Sequence, residues 1–341
     1  MESPKGIELE QVTAWLAANL QDMPPPYEFE LIAAGGSNLT YRVTAANAAR
    51  FILRRPPVRA RIATAHDMQR EYKIIGGLQG SAVPVPQLYA WCDDSAVTGS
   101  EFYCMELVEG LALREQSDCA AMTAAACWQA MESLVAAQVA FHQIDLEAVG
   151  LADLAQHDGY LQRQLKRWKR QVEVASQREQ PLFDELHAAL VATSPPSELA
   201  PGLAHGDYRF DNCILGDDYR VAAVLDWELC TIGDPRADFI WSLNYWAEPG
   251  ESLTWLMAPP TQHPEFPGRQ QVLDCYCEMS AVSITHMQWY NAFSWWKQAC
   301  IVEGVLARLQ QGASGGMKVQ SLEAIGERID AYLQHARELL S

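Results

Sequence analysis

Hydrophobic and polar positions alternate with a period of two over several short stretches in the first third of the chain. This pattern predicts strands at residues 27–32, 40–44, 50–54 and 102–107, where aromatic and β-branched residues are frequent. Between the last two stretches, residues 65–78 have the spacing of a helix. The amino-terminal part of the chain is therefore predicted to be built around a β-sheet.

After residue 110 the pattern changes to long helical segments, which one strand-rich stretch at residues 203–225 interrupts. We therefore expect an α+β fold with two lobes, a β-rich lobe at residues 1–108 and a mainly helical lobe at residues 109–341. Four large or apolar side chains are spaced four, three and four residues apart and are expected to form the buried face of one helix: Trp289, Phe293, Trp296 and Cys300.

Composition narrows the classes of function. The 341 residues are 49% hydrophobic and 20% charged, which is typical of a folded globular protein. The formal net charge of −18 argues against nucleic-acid binding, which requires clustered lysine and arginine. No apolar run approaches the ~20 residues that span a bilayer, and the first residues lack a signal-peptide pattern. We expect a cytoplasmic protein that binds neither nucleic acid nor membrane, as a monomer or a homodimer.

Two candidate metal ligands flank a predicted hairpin. Short apolar strands at 213–215 and 221–225 surround a turn at 216–218 that contains glycine and aspartate. Asn212 precedes the first strand and Asp226 follows the second, so antiparallel pairing brings their oxygens to the same edge of the hairpin. Mg²⁺ prefers hard oxygen ligands of this kind.

The residues before the hairpin have the spacing of a kinase catalytic loop. His205, Asp207 and Asn212 follow the pattern His-x-Asp-x₄-Asn, in which the aspartate is the base and the asparagine binds metal. Three residues match by chance easily, but the apolar hairpin, with Asp226 fourteen residues after Asn212, makes the combination specific. We therefore predict that Asp207 accepts the proton of an attacking hydroxyl.

Further motifs accompany this loop along most of the chain. They are His-Gly-Asp-Tyr-Arg-Phe-Asp-Asn at 205–212, Val-Leu-Asp-Trp-Glu-Leu at 224–229, Thr-Ile-Gly-Asp-Pro at 231–235, Ala-Asp-Phe at 237–239, Gly-Gly-Ser-Asn-Leu-Thr-Tyr at 35–41, Phe-Ile-Leu-Arg-Arg-Pro-Pro at 51–57, Ala-His-Asp at 65–67 and Arg-Glu at 70–71. With these motifs the chain resembles the aminoglycoside phosphotransferase superfamily, which includes choline and homoserine kinases and is related to protein kinases. The likeness is greatest to the phosphotransferase domain joined to certain acyl-CoA dehydrogenases and to its stand-alone bacterial relatives. The resemblance implies a bilobal, protein-kinase-like fold and the use of ATP and Mg²⁺.

Transferred position by position, the resemblance implies that Asp207 is the catalytic base and that Asn212 and Asp226 bind Mg²⁺. Glu228 lies two residues beyond Asp226, on the same side if the strand continues, where it would hold metal-bound water.

Arg209 stands where many protein kinases have a lysine that touches the transferred phosphate. Its guanidinium would stabilise the equatorial oxygens, and the alternative is a structural salt bridge with Asp211 or Asp238. His205 is expected to orient the loop by hydrogen bonds and not to take protons itself.

The residues between the first two predicted strands, Gly35, Gly36, Ser37 and Asn38, have the composition of a loop that covers phosphates. Glycines let backbone N–H groups approach phosphate oxygens closely. The loop precedes the strand at 50–54 by about 15 residues, the order in which kinases place these two parts.

Kinases also need a cation on that strand, paired with a glutamate on the next helix. Alignment with the family places Arg54 there, where lysine is commoner, and Glu71 is its natural partner. Arg55 points to the opposite face and is the second choice. Glu106 and Val108 would lie in the hinge, whose backbone groups face adenine.

The acceptor is expected to be a small hydroxyl compound. A protein acceptor is disfavoured because no Ala-Pro-Glu motif follows Asp226. The resemblance favours a hydroxyacyl-CoA or a related hydroxy acid, and implies that the insert at 150–200 shapes the acceptor pocket. Basic residues at 50–73 agree with an anionic ligand beyond ATP, although a solvated basic face is the alternative. The acidic total favours instead an aminoglycoside or amino alcohol, and a nucleotide-binding regulator without turnover is a third possibility.

Overall fold

The computed structural model describes residues 4–34, 38–57, 68–154, 159–176, 180–196, 200–311 and 321–341. Three residues of the predicted phosphate loop, Gly35, Gly36 and Ser37, lie outside these ranges. The basic residues Arg59 and Arg61 lie outside them as well. In the described ranges a β-sheet region comes first and a mainly helical region follows.

Five antiparallel strands form the amino-terminal sheet in the order β1–β2–β3–β5–β4. They are β1 (Glu28–Ala34), β2 (Leu39–Thr44), β3 (Arg50–Arg55), β4 (Leu88–Cys92) and, after the short helix α3 (Ser95–Thr98), β5 (Phe102–Glu106). Strand β2 alternates strictly, because Leu39, Tyr41 and Val43 are buried while the residues between them are partly exposed. This alternation gives the sheet one apolar face at β2.

Helices cover both faces of this sheet. Helix α1 (Leu9–Asn19) packs its buried side chains with Phe51 and Leu53 of β3. Ile52 points to the opposite face, where helix α2 (Met68–Leu78) packs and where the core continues into the helical region. Strand β3 therefore lies between two cores and is fixed in place from both sides.

The carboxyl-terminal region is mainly helical and contains two short antiparallel strand pairs, β6 with β9 and β7 with β8. Among the described residues, none of the helices combines the length and the apolar character needed to cross a bilayer. The elements are α4 (Ala124–His142), α5 (Tyr160–Ala175), α6 (Pro181–Ala192), β6 (Gly202–Ala204), β7 (Cys213–Leu215), β8 (Val221–Val224), β9 (Thr231–Gly233), α7 (Pro235–Tyr245), α8 (Arg269–Ser280), α9 (Met287–Gln310) and α10 (Leu322–Leu340).

Helix α9 is the centre of the helical region and packs against α5, α6, α7 and α10. The four positions expected to form its buried face are all buried: Trp289, Phe293, Trp296 and Cys300. The helix also buries the polar side chains Ser294 and Lys297, which the apolar pattern does not indicate.

The fold class is confirmed, and the four predicted strands lie within two residues of β1, β2, β3 and β5. Strand β4 was not predicted, because four of its five residues are partly exposed and give no period-two signal. The second hairpin strand ends at Val224 instead of residue 225. The division into lobes after residue 108 stays a prediction.

Gly110 connects the sheet region to the helical region with a backbone that other residues rarely adopt. Its φ is 151°, and a Cβ atom at this position would lie 2.2 Å from the carbonyl oxygen of Leu215. The next residue, Leu111, exchanges two backbone hydrogen bonds of 2.8 Å with Leu215 in β7. The path of the chain between the two regions is therefore fixed against the hairpin.

We expect Gly110→Ala to lower the free energy of unfolding by about 3 kcal/mol or more, because backbone strain and a backbone clash add. Gly99→Ala is the matched control, since Gly99 also has a positive φ, of 79°, but no atom lies within 4 Å of its Cβ position. That change should cost about 1 kcal/mol. Urea unfolding measures both, and equal losses would contradict the role of the contact with Leu215.

Candidate active site

The loop at 205–212 is anchored by a buried carboxylate beneath it. Asp238, in the first turn of α7, accepts a hydrogen bond from the backbone N–H of His205 at 3.1 Å and from that of Gly206 at 2.8 Å. His142 of α4 lies 3.1 Å from the same carboxylate through Nε2, and its other ring nitrogen lies 2.8 Å from the hydroxyl of Tyr276. Three elements of the helical region therefore meet at Asp238.

The charged form of Asp238 is favoured in this position. Burial raises the pKa of its carboxyl group, but the hydrogen bond and charge of His142 outweigh that effect and hold the pKa below its usual value. Removing a partner of a buried charge is strongly destabilising, because part of the charge is then uncompensated. The backbone at His205 and Gly206 is accordingly held in one position.

His205 uses both ring nitrogens to shape the loop. Its Nε2 lies 2.9 Å from the carbonyl oxygen of Leu225, and its Nδ1 accepts a hydrogen bond of 3.3 Å from the backbone N–H of Asp207. Since Nδ1 accepts, Nε2 must carry the proton that it donates to Leu225. The fully buried ring therefore links the loop to the end of β8.

Asp207 is oriented from two sides. The Tyr245 hydroxyl donates to its Oδ1 at 2.8 Å, and the Asn212 amide donates to its Oδ2 at 3.1 Å and to its backbone oxygen at 2.7 Å. Burial raises the pKa of Tyr245 well above its usual value, and the charge of Asp207 raises it further. Tyr245 therefore stays a neutral donor that holds the carboxylate in place.

Arg209 pairs with its neighbours in the loop. Its Nε lies 2.6 Å from Asp211 Oδ1 and its Nη2 lies 3.6 Å from Asp207 Oδ2, while its guanidinium lies 4.8 Å from the centroid of the Tyr245 ring. The predicted salt bridge with Asp211 is present, and the alternative partner, Asp238, instead holds the loop backbone. The contact with phosphate stays a prediction.

Arg54 of β3 joins the sheet region to the loop region. Its Nε donates to Glu71 Oε2 at 3.0 Å, and its Nη2 donates to Asp226 Oδ1 at 2.5 Å. Burial alone would lower the pKa of Arg54, but the charges of Glu71 and Asp226 outweigh burial and raise the pKa above its usual value. The expected pair of Arg54 with Glu71 is thus formed, and Asp226 completes a triad. Arg55 points away and bonds to the backbone oxygen of Thr98 and the hydroxyl of Ser100.

The expectation for Glu228 rested on a strand that continues beyond Asp226, and that premise is wrong. Asp226 has a φ of 64°, and residues 227–229 form a short 3₁₀-helix. Glu228 Oε2 instead accepts a hydrogen bond of 3.1 Å from Asn38 Nδ2, at the end of the predicted phosphate loop. The polypeptide therefore brings Asn38 and Glu228 together, and the role of each stays a prediction.

The hairpin places Asn212 beside the residue that precedes Asp226, because Leu225 N–H donates to the Asn212 carbonyl at 2.8 Å. The Asn212 amide nitrogen is used on Asp207, and within the described chain no donor is found for Asn212 Oδ1 or for Asp226 Oδ2. Two oxygen ligands with no nitrogen or sulfur suit Mg²⁺. In the described residues, this site included, no group of three or more histidine, cysteine, aspartate or glutamate side chains is arranged to hold a metal ion.

A cleft of about 170 Å³ lies between the sheet and the hairpin. Arg54, Glu71 and Asp226 line one part of it, and Glu106 and Val108 line another. Its remaining walls are mostly apolar, and they include Ile52, Met105, Leu107, Ile214, Val224 and Leu225. A flat apolar ring and a row of charged groups can therefore be held in one cleft.

Most of the described basic side chains at residues 50–73 pair with other groups of the protein. Arg50 pairs with Glu109 at 2.6 Å, Arg70 donates to the carbonyl oxygen of Cys230 at 2.9 Å, and Lys73 pairs with Asp153. Arg54, which is one of these basic residues, lines the cleft. These contacts give the other basic side chains a structural use.

Sequence reasoning missed the roles of Asp238 and Tyr245. Both lie on α7 with Trp241, at spacings of three and four residues that put them on one helix face. An aspartate and a tyrosine in one such stripe, just after the loop and hairpin, are a signal that polar groups face the loop. The stripe becomes informative only when the position of α7 relative to the loop is known, and residue spacing alone does not give that position.

A family model described as "Phosphotransferase enzyme family" matches residues 28–255, which is more than half of the chain. Acyl-CoA dehydrogenase family member 11 of Gallus gallus is 33% identical over 287 residues, covering 81% of this chain and 36% of that protein. The chain thus spans about a third of the length of this relative.

Two solved structures have a similar fold. The crystal structure of a putative aminoglycoside phosphotransferase from Ralstonia eutropha is 28% identical, with a TM-score of 0.82 and 97% of each chain covered. The streptomycin–ATP–APH(2″)-IIa ternary complex has a TM-score of 0.63 at 13% identity, with 98% of this chain and 97% of that chain covered. The second likeness shows the fold alone.

We expect Asp238→Asn to lower the free energy of unfolding by about 3 kcal/mol at pH 7, because a buried charged acceptor of three hydrogen bonds is lost. The pKa of Asp238 is depressed in the folded protein, so its stabilisation is present above the unfolded pKa of about 3.9 and is lost as pH falls through the folded value. The difference between the two proteins should therefore shrink below pH 4.

Urea unfolding at pH 7 and at lower pH measures this difference. Asp153→Asn is the control, since that aspartate lies at the surface beside Lys73 and should leave the free energy of unfolding nearly unchanged. A difference that grows as pH falls would contradict the assignment.

Proposed function

The chain belongs to the phosphotransferase enzyme family, whose kinases act on hydroxyl groups of small molecules, and from this membership we propose that it transfers the γ-phosphate of ATP, with Mg²⁺, to a hydroxy acid or its CoA thioester. The observation that carries the proposal is the arrangement of Asp207. Its carboxylate is held by Tyr245 and Asn212, and the Asn212 carbonyl accepts a hydrogen bond from Leu225, the residue before Asp226 in the wall of the cleft.

The cleft between the sheet and the hairpin suits ATP. Its apolar walls would enclose adenine, with the backbone at Glu106 and Val108 beside the ring. Asn38 and the loop before it would cover the phosphates. Arg54 would hold phosphate oxygens, and its pairing with Glu71 fixes the direction of its guanidinium.

Asn212 and Asp226 fit Mg²⁺ through one oxygen each. When bound, the ion would neutralise charge on the phosphates. Glu228 would support the same group from the side of Asn38.

The transfer follows from the position of the base. Asp207 takes the proton from the acceptor hydroxyl as the acceptor oxygen forms its bond to the γ-phosphorus. The bond from that phosphorus to the bridging oxygen breaks, and ADP leaves with the bond's electron pair. Arg209, which lies 3.6 Å from Asp207, would stabilise charge on the transferred group.

The chemical class of the acceptor is the more specific part of the proposed function. A protein named as an acyl-CoA dehydrogenase family member contains a region 33% identical to this chain, and we carry the acyl-CoA class over from that name. The second candidate is an aminoglycoside or amino alcohol, which the net charge of −18 supports because an acidic protein attracts cations. A panel with both classes of acceptor separates the two.

We expect Asp207→Asn to keep the affinity for ATP within a few-fold and to lower phosphate transfer by ~10²-fold or more, since the amide cannot accept the proton. Transfer is followed as phosphorylated acceptor, and ATP affinity by calorimetry. Asp218→Asn, in the exposed turn of the hairpin, is the matched control and should transfer at the wild-type rate. Unchanged transfer in Asp207→Asn would rule out the base assignment. Tight ATP binding by the wild type with no transfer to any acceptor would favour the regulator.

We expect Arg54→Lys to raise the KM for ATP about 10-fold, because an ammonium group cannot bond to Glu71, Asp226 and phosphate in the geometry of a guanidinium. Arg42→Lys is the control, since Arg42 pairs with Glu30 on the exposed side of the same sheet. Initial rates at varied ATP concentration give the KM. A KM equal to that of the wild type would show that Arg54 does not contact the nucleotide.

A further inference from the structure

Lys297 of α9 is a buried lysine that the transfer chemistry above leaves without a role. Its side chain is 7% exposed, and its Nζ lies 3.6 Å from the centroid of the Trp241 ring and 5.8 Å from that of Trp168. In the part of the chain that the structure describes, no hydrogen bond or ion pair of this ammonium group is found. The face of the Trp241 ring attracts this positive charge, but the three N–H groups of the buried ammonium still lack a hydrogen-bond acceptor, which a ligand could supply.

Three further donors near Lys297 lack acceptors. Ser294 lies one turn before it on the same face of α9, and its buried hydroxyl has no hydrogen-bond partner among the described residues. The indole N–H groups of Trp241 and Trp255 are likewise buried without partners, and the two rings lie 4.5 Å apart. We refer to Ser294, Lys297, Trp241 and Trp255 as the donor cluster.

The donor cluster adjoins the base. The Tyr245 ring, whose hydroxyl donates to Asp207, lies 5.1 Å from the Trp255 ring and 6.1 Å from the Trp241 ring. Burial outweighs the charges of Asp238 and Asp207, which raise the pKa of Lys297, and lowers that pKa to about 8. A group bound at the cluster would therefore lie a short distance from the reacting hydroxyl.

We propose that the donor cluster binds an anionic oxygen group of the acceptor, a carboxylate or a phosphate, and so selects negatively charged hydroxy compounds. This inference rests on the proposed function, because it concerns the acceptor of the same reaction. Buried donors without acceptors match an oxyanion, which accepts several hydrogen bonds at once. A cationic acceptor would be repelled by Lys297, so the local charge outweighs the acidic total.

Arg167 of α5 adds positive charge on the same side. Its guanidinium lies 5.2 Å from the centroid of the Trp168 ring, which Lys297 also approaches. Arg167 is exposed whereas Lys297 is buried. Two positive charges therefore lie within 6 Å of the centroid of one ring, an arrangement that favours the approach of an anion.

The test compares acceptors that differ in charge. Straight-chain hydroxy acids, their CoA thioesters and diols of equal chain length are offered to the wild type and to Lys297→Met. We expect the variant to raise the KM for the anionic acceptors about 10-fold or more, with kcat changed less than about 3-fold. The KM for the diols and for ATP should stay the same. Lys297→Arg should recover part of the lost affinity, since it restores the charge.

Lys169→Met is the matched control, because Lys169 lies on α5 and pairs with Glu173 and Asp184 at the surface. It should leave all acceptor constants unchanged. Ser294→Ala should weaken the anionic acceptors by a smaller factor than Lys297→Met. A loss on the free acids alone identifies the carboxylate as the bound group, a loss on the thioesters alone identifies a phosphate of CoA, and a loss on both shows that the cluster accepts either anion.

Equal losses on acids and diols, or an unchanged KM for both, would overturn the inference and leave the proposed function intact. If the wild type transfers phosphate to no acceptor, the proposed function fails. Binding of the free hydroxy acids by calorimetry, with a non-hydrolysable ATP analogue, then still tests the cluster. Weaker binding by Lys297→Met supports the inference, and binding equal to that of the wild type overturns it.

Discussion

Asp238 lies beneath the loop at 205–212, fully enclosed, and accepts hydrogen bonds from two consecutive backbone N–H groups of that loop. The position of Asp207 depends on this contact, because Asp207 follows Gly206 directly in the chain. His142 stabilises the charge of Asp238 and connects it to α8 through Tyr276. One buried carboxylate therefore connects the packing of the helical region to Asp207, the proposed base.

The second constraint is the bridge formed by Arg54. This side chain starts on a strand that is packed on both faces, pairs with Glu71 on α2 and ends on Asp226 after the hairpin. It thus sets the position of the sheet relative to the residues proposed to hold Mg²⁺. Gly110 fixes the covalent connection between the same two regions, so both the chain path and an ion pair define the cleft.

Much of this arrangement follows from the sequence, for identifiable reasons. Asn212 and Asp226 are brought together by a short hairpin, whose pairing depends on local spacing, and Arg54 meets Glu71 through the usual order of strand and helix. The strand does not continue to Glu228 because Asp226 adopts a positive φ, and residue type alone does not indicate that conformation at a non-glycine residue. Asp238, Tyr245 and Lys297 could not be assigned because their contacts join helices that are distant in sequence. Their significance depends on tertiary packing and on which donors are left without acceptors.

The central claim is transfer of phosphate from ATP to the hydroxyl of a negatively charged small molecule. Its most direct test is phosphorus NMR of the purified protein with ATP, Mg²⁺ and the hydroxy acids or their CoA thioesters. The account predicts one new phosphate monoester for each ADP formed, with the phosphate on the hydroxyl oxygen. Formation of ADP and inorganic phosphate alone, or of a phosphate ester only with neutral or cationic acceptors, would contradict it.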